Sequence, residues 1–124
     1  MQIVDSFMSH SLVLEKSKVF ALRIVRLYRY LCNEKSEFVL SKQVLLSGTY
    51  IGAHIKEATQ AESRTVFAQE MAVALRKASE TEYWLELLHE SDLIDDKAFN
   101  SINNDCIELI KMLTSIVKTS KMGE

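Results

Sequence analysis

The chain has 124 residues, of which 48% are hydrophobic and 26% charged, a balance that suits one folded domain with its own core and excludes an intrinsically disordered chain. Seventeen acidic against fifteen basic residues leave a net charge of −2, so no global field draws in nucleic acid or anionic lipid, although a local basic stripe can still exist. There is no proline and there are only three glycines; with turn punctuation nearly missing, long helices joined by short polar loops fit best. The opening MQIVDSF has no basic region leading into an apolar run, and no stretch of roughly 18 apolar residues follows. A soluble, cytoplasmic protein without membrane contact is expected.

The spacing predicts a first helix over 11–33, where Val13, Phe20, Ile24, Leu27 and Leu31 recur on one face and Ser9 or Ser11 is available as N-cap. A second stripe, Leu14, Ala21, Val25, Tyr28 and Cys32, runs beside the first. The apolar face is then wider than one core contact needs, and this helix is expected to bury two sides. Polar NEKSE at 33–37 breaks the pattern, and Ser36 is the expected cap of a second helix running to about Gln60. Its core stripe is Leu40, Val44, Gly48, Ile51, Ile55 and Ala58, with Ser41, Leu45 and Gly52 along an adjacent seam. A glycine inside a helix costs roughly 0.5–1 kcal/mol against alanine. Gly48 and Gly52 therefore mark a place where a neighbouring backbone comes close.

ATQAES at 58–63 makes the second break, and Ser63 can cap a third helix reaching about Ser91, with Phe67, Met71, Ala74, Ala78, Leu85 and Leu88 on its inner face and Leu75 beside them. ESDLIDD at 90–96 makes the third. Asp95 is the expected cap of a fourth helix to about Ser120, its acidic neighbours suited to the positive helix end, built on Phe99, Ile102, Cys106, Leu109, Leu113 and Ile116. Four long helices with three short connections must turn back at each loop. The expected fold is all-α, a single domain over 1–124 forming an up-down-up-down antiparallel four-helix bundle.

Few residues offer chemistry. His54 and Glu57 lie one turn apart and could do general acid–base work, but no serine or cysteine nucleophile is marked beside them, and a packing or capping histidine is the expectation. HxxxH and HExxH are absent, and Glu86–His89 is a lone ExxH where a di-metal bundle needs two, so no metal, cofactor or catalytic centre is expected at His10 or His89. Cys32 and Cys106 form no CxxC and are expected as buried reduced thiols. Glu82 falls near the apolar stripe of helix three and needs a cation, for which Arg23 is the candidate. Arg23, Arg26 and Arg29 recur every three residues, with Arg76, Lys77, Lys111, Lys118 and Lys121 elsewhere; they could contact phosphates, though a solvated, salt-bridged surface is favoured. Tyr28, Tyr30, Tyr83 and Trp84 are expected to seal a protein interface rather than stack on bases.

SGTYIGAHIKEA at 47–58, AESRTVF at 61–67 and ALRKASETEYWLELL at 74–88 resemble the bacterial four-helix-bundle family whose members include proteins encoded in intervening sequences of 23S ribosomal RNA genes. The matching positions are Ser47, Gly48, Thr49, Ile51, Gly52, Ala53, Ile55, Glu57, Glu80, Glu82, Leu85 and Leu87; Tyr50 stands where a small residue is usual and His54 where asparagine is usual. The resemblance implies a ring-like homopentamer and no catalytic activity. A related branch, the accessory proteins of diversity-generating retroelements, implies binding to nucleic acid and a reverse transcriptase. The resulting expectation is a non-enzymatic homo-oligomer whose intersubunit contact uses Leu14, Ala21 and Val25, with a nucleic-acid-binding accessory factor acting through Arg23, Arg26 and Arg29 as the alternative.

Overall fold

A computed structural model describes residues 2–122, with side chains from His10 to Lys121. The chain forms α1 (Gln2–Lys35), α2 (Leu40–Thr59), α3 (Arg64–Glu90) and α4 (Asp96–Met122). Each helix packs on its neighbours in sequence, and α4 returns to α1, closing the bundle. Cross-helix pairs fix the directions. Gly52 meets Ser17 and Gly48 meets Ile24; His54 meets Glu70 and Ser47 meets Thr81; Cys106 meets Ala78 and Asp96 meets His89; Lys16 meets Glu108 and Arg23 meets Asp105. In every pairing one residue number rises as the other falls, so all four neighbouring contacts are antiparallel and the topology is up-down-up-down.

The core forms where the inner stripes converge. Val13, Phe20, Ile24 and Leu31 of α1, Val44, Ile51 and Ile55 of α2, Met71, Ala74, Ala78, Leu85 and Leu88 of α3, and Cys106, Leu109 and Leu113 of α4 are all buried. Each large apolar side chain there contributes about 1.5–3 kcal/mol by leaving water. Four polar side chains are also buried, Ser41 among them with its hydroxyl donating to the Glu37 carbonyl at 2.8 Å. Ser17 bonds the Leu14 carbonyl at 2.7 Å, while Thr81 bonds the Lys77 carbonyl at 2.7 Å and the Ser47 hydroxyl at 2.9 Å. Those bonds are what make burial of the hydroxyls tolerable.

Helix boundaries follow local chemistry. The Ser63 hydroxyl accepts from the Val66 N–H at 3.2 Å, and the Asp95 carboxylate accepts from the Ala98 N–H at 2.8 Å, so both expected caps are in place. The start of α1 differs from the expectation: it lies at Gln2 rather than Ser11, and the alternative cap Ser9 falls outside the residues whose side chains are described. Ser36 does not cap α2. It takes a left-handed conformation, φ 51°, which lets the Glu37 N–H return to the Leu31 carbonyl at 3.0 Å and end α1. The Glu37 carboxylate then receives the free N–H groups of Val39, Leu40 and Ser41 at 3.2, 3.0 and 2.7 Å. At the opposite connection Asp92, φ 63°, lets the Leu93 N–H close on the Leu88 carbonyl at 2.9 Å, the usual left-handed way of ending a helix.

Candidate functional site

The polar residues singled out by the sequence are drawn into contacts between helices. His54 pairs through Nδ1 with Glu70 Oε1 at 2.9 Å, not with Glu57, because α3 presents Glu70 beside it while Glu57 stands exposed. The Tyr50 ring meets the His54 ring edge-on at 6.3 Å, and the Lys77 ammonium stands 5.9 Å from the Tyr50 centroid. His89 stacks on Phe99 at 4.3 Å and bonds Asp96 at 2.6 Å, tying the end of α3 to the start of α4. His10 lies 4.6 Å from the Phe67 ring, and burial lowers its pKa from the ordinary 6.5. The three histidines thus sit at three separate junctions.

Arg23 does not pair with Glu82. Its guanidinium bonds Asp105 Oδ2 at 2.6 Å, the Ser101 hydroxyl at 2.9 Å and the Ser101 carbonyl at 3.3 Å. The reason is topological: α1 lies next to α4, whereas α3 is diagonal to it in the bundle. Glu82 is half-buried on α3, close enough to Cys106 for its charge to act on the thiol. Burial first and Glu82 second push that thiol up to about 12, and it donates to the Ala78 carbonyl at 3.3 Å. Cys106 is buried as expected, but Cys32 is only half-buried, 3.8 Å from the Ser41 hydroxyl. No group of three or more His, Cys, Asp and Glu side chains stands together at metal-binding distance among the described residues.

The glycine seam faces α1. A methyl group placed on Gly48 would stand 2.8 Å from Ile24 Cγ1 and 2.9 Å from Cγ2, and one on Gly52 would stand 3.1 Å from the Ser17 hydroxyl. Beside this seam Leu14, Ala21 and Val25 are half-buried rather than free, Leu14 packing on the core. Among the described residues the most open apolar side chains of α1 are others: Leu12, Val19 and Leu22 retain 49%, 49% and 51% of their surface. Arg26 and Arg29 are exposed. Between α1 and the start of α4, Arg23, Arg26, Leu27, Ile94, Ala98 and Ile102 line a groove of about 190 Å³, below the roughly 300–1,000 Å³ of ordinary small-molecule sites. Tyr30 and Tyr83 are exposed while Tyr28 and Trp84 are half-buried. Arg76, Lys111, Lys118 and Lys121 are exposed on α3 and α4.

The pattern of the 23S rRNA-intervening sequence proteins matches residues 9–115. The chain belongs to that family. A crystal structure of a protein of unknown function from the S23 ribosomal protein family of Bacteroides thetaiotaomicron is 53% identical, covers 89% of this chain and 98% of its own, and superposes with a TM-score of 0.87. No relative is found among the curated proteins. The family and its structural relative specify a helical fold without an assigned activity, and no helix among the described residues is long and apolar enough to cross a membrane. In this 23S rRNA-intervening sequence protein the groups that sequence reasoning missed are Glu37, Glu70 and Asp105, each a carboxylate holding a backbone end or a neighbouring helix, together with the pairing of Asp96 with His89. Only Glu37 left a local trace, a carboxylate shortly before an apolar run.

Proposed function

We propose that this protein is a non-enzymatic, self-associating bundle that works in the cytoplasm as a structural or interaction module, with the ring-like homopentamer of the resemblance as its assembly. The observation that carries this reading is the strip Leu14, Ala21 and Val25, which the chain's own packing leaves half covered. A neighbouring subunit completes that burial, the simplest use for apolar surface next to a small-residue seam. Sedimentation at micromolar concentration tests it. Wild-type protein is expected as an oligomer, and Val25→Glu as a smaller species of unchanged helicity, because a charge buried at the contact lacks a partner. A wild-type monomer, or an intact Val25→Glu oligomer, would remove the reading.

Exposed Arg26 and Arg29, without ion pairs among the described residues, support a second reading: an accessory factor that contacts nucleic acid for a reverse transcriptase or RNA-associated system. Its mark is RNA or DNA retention that weakens with salt and falls in Arg26→Ala/Arg29→Ala. Retention unchanged in that variant would count against it.

A further inference from the structure

Leu12, Glu15, Val19, Leu22, Arg26 and Arg29 follow one another along α1 at alternating steps of three and four residues, the repeat of a helix that lies along another helix. This seam is distinct from the Leu14, Ala21 and Val25 strip. Its apolar members are about half exposed, Leu12 at 49%, Val19 at 49% and Leu22 at 51%. Its charged members are exposed, and among the described residues Glu15, Arg26 and Arg29 enter no ion pair. A helix face with apolar residues at its centre and unlike charges towards its two ends can match a copy of itself.

We infer that this seam is a two-fold contact with a second copy of the chain, α1 lying antiparallel on α1. In that orientation Val19 stands opposite Leu22 of the second copy, Glu15 opposite Arg26, and Leu12 opposite the aliphatic stem of Arg29. Every pairing occurs twice, as an isologous contact requires. The parallel alternative sets Glu15 on Glu15, Arg26 on Arg26 and Arg29 on Arg29, and the like charges exclude it. Few apolar residues per copy place the contact at the small, reversible end of protein interfaces. A two-fold contact cannot close a ring, so this association is additional to the one proposed through Leu14, Ala21 and Val25 and does not rest on it.

Charge reversal tests the contact in the full chain, with circular dichroism confirming the fold and sedimentation velocity reading the association. Glu15→Arg and Arg26→Glu are each expected to weaken it by about tenfold or more, since both symmetry-related pairs become repulsive. The double variant Glu15→Arg/Arg26→Glu restores each pair with its sign inverted and keeps the wild-type net charge; recovery of the association is the expected result. Single reversals that associate like wild type, or a double variant that stays dissociated, would overturn the inference. Val25→Glu separates the two contacts. Association that survives Val25→Glu and yields to Glu15→Arg upholds this seam while removing the other strip, and the converse result removes the seam alone.

Discussion

Ile24 occupies the space that a side chain at Gly48 would need: its Cγ1 and Cγ2 atoms lie 2.8 and 2.9 Å from where a Cβ would be. Ile24 is fully buried and β-branched, so it has little freedom to retreat. Gly48→Leu is therefore expected to destabilise the bundle by about 1–3 kcal/mol, the usual cost of overpacking. Gly48→Ala should also lose stability, in spite of alanine's better helix propensity. Gly52→Ala meets only the Ser17 hydroxyl at 3.1 Å and should cost less. Denaturant unfolding of the three variants checks the order; equal midpoints at Gly48 and wild type would show that α1 and α2 do not need the glycine.

The Glu37 cap makes a second prediction. Burial by itself would raise the carboxyl, but hydrogen bonds from the Leu40, Ser41 and Val39 N–H groups and the Ser41 side chain outweigh it and hold its pKa below the ordinary 4.5. The folded value is depressed, so this stabilisation is complete above the unfolded value and is lost as pH falls through the folded one. Glu37→Ala should cost about 1 kcal/mol near neutrality, as other N-terminal caps do. The gap to wild type should narrow in acid, and a gap independent of pH would argue that the carboxylate is not the cap.

The Arg23–Asp105 pair is part-exposed, with 30% and 43% of the two side chains open. A double-mutant cycle with Arg23→Ala and Asp105→Ala should give a coupling of only about 0.5–1 kcal/mol. About 1 M salt should reduce it, since the Debye length there is near 3 Å. A coupling near zero would mean that the Ser101 bonds, rather than the Asp105 charge, hold the guanidinium.

The two thiols should differ in reactivity. Cys106, buried and with its thiol pushed up to about 12, carries almost no thiolate at pH 8, whereas Cys32 is half-buried. Iodoacetamide followed by mass spectrometry should label Cys32 in the native protein and Cys106 only after unfolding. Native labelling of Cys106 at a comparable rate would show that α3 and α4 open locally.

Features written within a few residues were legible: Ser63 and Asp95 as caps, the apolar stripes, and hence the number and order of helices. Partners on different helices were not. The angular position of Arg23 says that it lies at the edge of an apolar face, but not whether α3 or α4 stands there; only the closed topology decides for Asp105. His54 could be matched to Glu57 by counting along one helix, yet Glu70 reaches it from the next. Ser36 misled because serine is the common cap, while here its left-handed backbone ends one helix and Glu37 begins the other. The widened face of α1 was also legible, although periodicity could not divide it between the half-covered Leu14 strip and the open Leu12, Val19 and Leu22 seam.

Trp84, the sole tryptophan of the chain, packs half-buried against the core with its indole N–H enclosed and unbonded, and the Tyr83 ring stands 5.3 Å away. A single fluorophore on α3, with an energy donor fixed beside it, makes the intrinsic emission a site-resolved optical signal. Its spectrum will follow the seating of α3 in the bundle.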